Sequence, residues 1–184
     1  MSEPVTFALI GAGGIAQSYA QAFENHPDAK LVAVADVRLD AARAMAERFG
    51  CPAFASHTEL LAATSPEAVV ICTPPNTHED VTGAFVRRGV NVLCEKPFTL
   101  TPASARRMAD EARKAGVTLT MASKFRYVED VIKAKSIVAS GLLGDVILFE
   151  NAFTARVEMG QRWNANPAVS GGGFFSWLAC HQLD

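Results

Sequence analysis

The feature that most constrains this fold is a glycine pattern between an apolar run and a helical one. Residues 5–11 (VTFALIG) have the composition of a buried strand, and residues 16–27 (AQSYAQAFENHP) have helical spacing. Between them Gly11, Gly13 and Ala16 form the pattern G-x-G-x-x-A. In a nucleotide-binding turn the first glycine permits the bend, the second lets a pyrophosphate approach, and the third position lets helix and strand pack closely. A purely structural turn would also explain the glycines alone.

An acidic residue at the end of the next strand strengthens the nucleotide interpretation. Asp36 ends the apolar run 30–36, twenty positions after the last member of the glycine pattern, where a carboxylate can accept hydrogen bonds from a ribose 2′-hydroxyl. Gly14 and Ile15 lie between the second glycine and the helix that begins at residue 16, and the N–H groups at the N-terminus of that helix would hold phosphate. We therefore predict a dinucleotide site for NAD. Arg38 could pair with a 2′-phosphate, so NADP stays open, although adenine stacking or solvent exposure also explains this arginine.

Strands and helices alternate through the first two-thirds of the chain. Further strand patterns lie at 52–55, 67–74, 90–96 and 117–123, and further helical patterns lie at 40–50, 78–89 and 101–116. Such alternation produces βαβ units and a parallel sheet. Runs such as AVVIC are apolar without alternation, as expected of a strand covered on both faces. We predict an α/β fold with a Rossmann-type doubly wound parallel sheet over residues 1–122.

The pattern changes after residue 123. Residues 127–141 have the spacing of one amphipathic helix, and residues 144–156 are predicted to form a long strand. A polar loop containing tryptophan follows to about residue 169 and leads into the glycines of 171–173. The loss of the βα alternation indicates that a second unit begins at about residue 123.

Composition excludes several classes of function. The formal net charge is −2 and no run of Lys or Arg occurs, so the chain lacks the basic footprint of a nucleic-acid-binding protein. We expect no membrane span, because no apolar run reaches the roughly 18 residues required. The N-terminus has no basic segment before its apolar run, as a secretory signal would have, so we expect a cytoplasmic protein. The four cysteines form no CxxC pair, so we expect no metal site.

A second candidate site follows the fourth and fifth predicted strands. Residues 71–81 (ICTPPNTHEDV) and 93–101 (LCEKPFTLT) both come at the carboxyl ends of strands, where an open α/β sheet forms its ligand crevice. Lys96 could donate to a substrate oxygen there, and partial burial would lower its pKa toward the range useful for proton transfer. An exposed lysine paired with Glu95 is the alternative. A residue packed in the first turn of a helix is the alternative explanation of His78.

Taken together, these motifs resemble the Gfo/Idh/MocA family of nicotinamide-dependent sugar and polyol oxidoreductases. The resemblance rests on IGAGGIA, the AD at 35–36, TPPNTH and CEKPFTLT, and it continues through FRYVEDVIKAKSIVASGLLGDVILFE to the GGG…H…D of 171–184. It implies a path for the nicotinamide side of the cofactor along Thr73, Pro74, Asn76 and His78. It places Glu95 near the nicotinamide ribose and Lys96 at the reacting oxygen, with the Lys96–Pro97 bond often cis.

The same resemblance assigns roles near the end of the chain. His181 matches the family's acid/base histidine, although a packed helix residue is the alternative. Trp177 stands where the family has an aspartate, so it could stack on a sugar ring or simply fill space. Arg126 lies where relatives contact substrate or cofactor, or it is a surface residue. The catalytic pair is thus expected to be Lys96 and His181.

The implied activity is NAD(P)-dependent hydride transfer to or from a secondary hydroxyl of a sugar, polyol or related ring. The alternative is an impaired dinucleotide-binding fragment or sensor that lacks the substrate sheet. The resemblance also implies that residues 123–184 are the beginning of an α+β open-sheet substrate and oligomerisation domain that is longer in the family. We therefore expect a truncated or cleaved member of the family. The alternatives are a homo-oligomer formed through that sheet or a second chain that supplies the missing part.

Overall fold

The computed structural model describes residues 3–152, 154, 156, 158, 160 and 162–173. Six parallel strands form one sheet in the order β3-β2-β1-β4-β5-β6, and their bounds are β1 Val5–Ile10, β2 Ala29–Ala35, β3 Ala53–Phe54, β4 Ala68–Ile71, β5 Asn91–Cys94 and β6 Leu119–Met121. From β1 the strands are added outward on one side, to β3, and from β4 they are added outward on the other side, to β6. The strand order therefore reverses between β1 and β4, which lie side by side at the middle of the sheet. This confirms the predicted Rossmann-type architecture and creates the switch point at which such sheets bind ligands.

Helices cover both faces of the sheet. Their bounds are α1 Gly14–Asn25, α2 Leu39–Glu47, α3 His57–Ala63, α4 His78–Val86, α5 Pro102–Ala115, α6 Glu129–Ala139 and α7 Pro167–Ser170. Buried side chains of α1 and α2 form one core layer, and those of α3, α4 and α5 form the other. Among the residues described, no helix is both long and apolar enough to cross a membrane.

Local sequence explains where several helices begin and end. Thr101 caps α5 by accepting a hydrogen bond from the N–H of Ser104, and Pro102 occupies the first helical position. The same helix ends at Gly116, whose φ of +69° is the left-handed conformation that glycine adopts most easily. Ser56 caps α3 in the same way as Thr101 caps α5, although α3 itself was not expected from the sequence.

The segment after residue 123 differs most from the prediction. Residues 144–152 form no strand, so the long strand expected over 144–156 is wrong for that part. A strand satisfies its backbone groups only by pairing, and Ile147 and Phe149 are instead 96% and 74% exposed. The helix expected over 127–141 is shorter, Glu129–Ala139, because residues 124–127 form a 3-10 turn. The proposed domain boundary at residue 122 stays a prediction.

Candidate functional site

Gly11 fixes the end of β1 against both of its neighbours. Its φ is +93°, and a Cβ at this position would lie 2.9 Å from the carbonyl carbon and oxygen of Cys72. Its N–H donates to the carbonyl of Ala35, 2.7 Å away, at the end of β2. Both conformation and space therefore require glycine here. The predicted tight turn is present, and it holds the ends of β1, β2 and β4 together.

The next residues leave the N-terminus of α1 open. Side chains added at Gly13 or Gly14 would meet nothing within 4 Å, so a ligand can approach this backbone closely. Gly13 is the N-cap and offers no capping side chain, and the first turn contains no acidic residue. Ala16 is fully buried, which allows the close packing expected of it, whereas Ile15 is 44% exposed. Uncapped N–H groups and a positive helix dipole suit a pyrophosphate.

Asp36 lies beside this turn in a fixed orientation. One carboxylate oxygen accepts a hydrogen bond from the N–H of Ala12 at 2.7 Å, and the other accepts one from the N–H of Arg38 at 2.8 Å. An ionised carboxylate has about four acceptor positions, so two remain for the hydroxyl groups of a ribose. The guanidinium of Arg38 lies 3.9 Å from Asp36, and its side chain is 66% exposed. Asp36 therefore both clamps the glycine turn and presents a negative charge beside it.

The turn after β4 is held by its own side chains. The hydroxyl of Thr77 lies 2.7 Å from that of Thr73 and 2.8 Å from the carbonyl of Pro74. Residues 75–77 form a 3-10 turn, and Asn76 is exposed on it. The predicted residues of this turn therefore lie at the carboxyl edge of the sheet. Thr77 was not singled out from the sequence, because its bonds depend on the shape of the turn.

His78 is fully buried and joins the two loops of the site. Its Nε2 lies 2.7 Å from the carbonyl oxygen of Thr73, and its Nδ1 lies 3.1 Å and 3.2 Å from the carbonyl oxygens of Pro97 and Phe98. Burial lowers the pKa of the imidazole, although the neighbouring carbonyls and Glu95 oppose that shift. The ring is hydrogen-bonded to backbone rather than exposed along a crevice. It ties the loop after β4 to the loop after β5.

Glu95 and Lys96 lie at the end of β5 beside a cavity. Glu95 is only 8% exposed, and its carboxylate accepts hydrogen bonds from the N–H of Lys96 at 3.0 Å and from the hydroxyl of Tyr19 at 2.8 Å. All three residues line a cavity of about 510 Å³ between α1, the ends of β5 and β6, residues 122–125 and Tyr127. The Lys96–Pro97 bond is cis. Burial and the nearby Glu95 raise the pKa of Tyr19.

The remaining predicted residues are not all brought to this cavity. Arg126 lines a neighbouring cavity of about 560 Å³ against α5 and β6, which is not lined by Lys96. Trp177 and His181 lie outside the described residues. Within the described part of the chain, no group of three or more His, Cys, Asp or Glu side chains is arranged to hold a metal ion.

Comparison with curated proteins identifies relatives whose names describe dehydrogenases of sugars and polyols. The chain is 33% identical over 187 residues to D-glucoside 3-dehydrogenase of Escherichia coli K12, covering 100% of this chain and 53% of that protein. It is 32% identical to inositol 2-dehydrogenase of Rhizobium meliloti, covering 98% of this chain and 53% of that protein. The chain therefore spans about half the length of the curated relatives it matches.

Solved structures show the same fold with cofactor bound. GenD2 from gentamicin A biosynthesis, in complex with NAD, superposes with a TM-score of 0.85 at 26% identity, over 100% of this chain and 52% of that one. The WlbA dehydrogenase of Chromobacterium violaceum, in complex with NADH and UDP-GlcNAcA, gives a TM-score of 0.75 at 30% identity, over 78% and 42%. The family model for the Gfo/Idh/MocA oxidoreductases with an NAD-binding Rossmann fold matches residues 5–123. The chain belongs to the Gfo/Idh/MocA oxidoreductase family, and these residues are its NAD-binding domain.

Proposed function

We propose that the chain is the cofactor-binding part of an NAD-dependent oxidoreductase acting on a secondary hydroxyl of a sugar or polyol ring. The observation that carries the proposal is the arrangement of groups along one edge of the sheet. Asp36 follows β2, the open N-terminus of α1 follows β1, and Lys96 follows β5 beside the cavity. A dinucleotide laid along this edge would span the switch point between β1 and β4.

The residues of the chain would divide the work of binding and proton control. Lys96 would donate a hydrogen bond to the substrate oxygen from the wall of the cavity. His181 would hold or release the hydroxyl proton, and Trp177 would stack on the sugar ring. Bound nicotinamide supplies the acceptor or donor of hydride. Glu95 would accept hydrogen bonds from hydroxyl groups of the cofactor. Arg126 is the remaining candidate for substrate contact, from the neighbouring cavity.

NAD is the proposed cofactor rather than NADP. The Asp36 carboxylate faces the place expected for the adenosine ribose, where it would accept hydrogen bonds from two hydroxyl groups and repel a phosphate. Arg38 lies beside that carboxylate, and a 2′-phosphate reaching the arginine would also approach the negative charge of Asp36. The structures of relatives with NAD or NADH bound support this choice.

We also propose that the protein forms a homo-oligomer or is completed by further protein at the segment after α6. Support comes from apolar side chains left exposed there, with Leu142 78%, Ile147 96% and Leu148 71% exposed. The cytoplasmic location stays a prediction from the sequence.

Replacement of Lys96 tests the proposed chemistry. Lys96→Ala should abolish turnover of glucosides and inositols, followed by the absorbance of reduced nicotinamide, while the Kd for NADH changes by less than about threefold, because a substrate contact contributes little to cofactor binding. Lys114→Ala is the matched control, since Lys114 is exposed on α5, away from the cavity. Undiminished turnover by the Lys96 variant would contradict the assigned role.

A further inference from the structure

Glu95 places a carboxylate in the wall of the cavity, with a hydrogen bond to each of its two oxygens. It is 8% exposed in the wall of the cavity, and the hydroxyl of Tyr19 and the N–H of Lys96 each donate to one of its two carboxylate oxygens. A buried carboxylate is costly unless its oxygens accept hydrogen bonds. Within the described part of the chain two donors bond to this carboxylate, so about two of its acceptor positions are unused there. The carboxylate is therefore held by the protein and still able to accept from a ligand.

The two donors restrain Glu95 differently. Lys96 is its immediate neighbour in the chain, so this bond closes a local turn and moves with the loop after β5. Tyr19 is 76 positions away in sequence and stands on α1, one turn after the open N-terminus at Gly14. The bond from Tyr19 therefore connects the helix that would bind phosphate to the strand end that carries Glu95 and Lys96.

The environment of Tyr19 keeps its hydroxyl protonated, so the hydroxyl can donate a hydrogen bond to Glu95. The side chain is half-buried, and burial together with the charge of Glu95 raises its pKa, so the hydroxyl stays protonated through the neutral range. Hydrogen bonds from a neutral donor to a charged acceptor are stronger than those between neutral groups. The aromatic ring also lines the cavity, so it fixes the hydroxyl at the cavity wall.

We propose that Tyr19 is a positioning residue, whose hydroxyl holds Glu95 so that the unused acceptor positions of the carboxylate receive hydroxyl groups of the bound dinucleotide. The inference rests on the proposed function, because it takes the dinucleotide as the ligand. Tyr19 belongs to neither the glycine pattern nor the two strand-end motifs, and its role follows from the hydrogen bond across the site.

A double-mutant cycle in the full chain tests the proposal, with NADH as the probe. Tyr19→Phe keeps the ring and removes only the hydroxyl, and Glu95→Gln keeps the shape and removes the charge. We expect each substitution to raise the Kd for NADH, measured by fluorescence titration, by about tenfold. The double variant should bind about as weakly as either single variant, because both changes remove the same arrangement. Circular dichroism and thermal unfolding establish that each variant folds.

The outcomes separate a positioning role from a structural one. If Tyr19→Phe is less stable but binds NADH as well as the original protein does, the hydroxyl only stabilises the fold and the inference is wrong. Effects that multiply to about a hundredfold in the double variant would also overturn it, since Tyr19 would then act independently of Glu95. If the unsubstituted protein does not bind NADH, the proposed function fails and the inference fails with it. Normal binding by the original protein together with an unchanged variant overturns the inference alone.

Discussion

Replacing Gly11 with alanine should damage both the stability of the sheet and the cofactor site. A Cβ at this position would lie 2.9 Å from the carbonyl carbon and oxygen of Cys72 and 3.0 Å from the N atom of Thr73. These are backbone atoms at the end of β4, so no flexible side chain can move aside. The residue would also have to adopt a φ of +93°, which alanine disfavours.

The cost of Gly11→Ala has two parts. The left-handed conformation costs about 1–2 kcal/mol for a residue with a Cβ. Forcing a methyl group against packed backbone costs about 1–3 kcal/mol more. The sum is about 2–5 kcal/mol, which corresponds to a fall in Tm of about 4–20 °C for a chain of this size.

Gly50→Ala is the matched control for that experiment. Gly50 has a φ of +60°, but a Cβ there would meet nothing within 4 Å, so only the conformational cost of about 1–2 kcal/mol applies. Urea and thermal unfolding give the two losses of stability, and NADH titration gives the effect on the site. We expect Gly11→Ala to lose more stability than the control and to bind NADH at least about tenfold more weakly, because the turn must move. Equal stability and equal NADH binding in the two variants would refute the reasoning.

Two further substitutions test other parts of the site. Burial lowers the pKa of His78 in the folded protein, so below the ordinary pKa of 6.5 the unfolded chain binds the proton first, and the stability declines as the pH falls until the lowered folded pKa is passed. His78→Gln should remove this part of the pH dependence of stability and cost about 1–3 kcal/mol in urea unfolding. A variant whose stability has the same pH dependence as the original protein would contradict this account. Asp36→Asn keeps an oxygen acceptor for the N–H of Ala12 but removes the negative charge. It should therefore reduce the ratio of the Kd for NADPH to the Kd for NADH by about tenfold in paired titrations. An unaltered ratio would show that other residues determine the selectivity.

Local patterns in the sequence were sufficient for the sheet and for the cofactor turn. The positions of Gly11, Ala16 and Asp36 follow from the spacing within one βαβ unit, because a turn, a helix and a strand of fixed length bring them together. The unbroken apolar run of β4 likewise identified a central strand, and all four of its residues are buried.

Contacts between distant parts of the chain could not be predicted in this way. The bond between Tyr19 and Glu95 joins residues 76 positions apart, and that between His78 and Pro97 joins residues 19 apart on different elements. Neither has a spacing that a local pattern specifies. Over residues 144–152 the expected strand is absent for a related reason, since apolar β-branched composition favours a strand only where another strand pairs with it.

The most direct test of the proposed cofactor site is a fluorescence titration of the purified protein with NADH and NADPH in the same buffer. Asp36 and the open N-terminus of α1 predict saturable binding of NADH, at least about tenfold tighter than that of NADPH. Tighter or equal binding of NADPH, or no saturable binding of NADH, would contradict the assignment of this edge of the sheet as an NAD site.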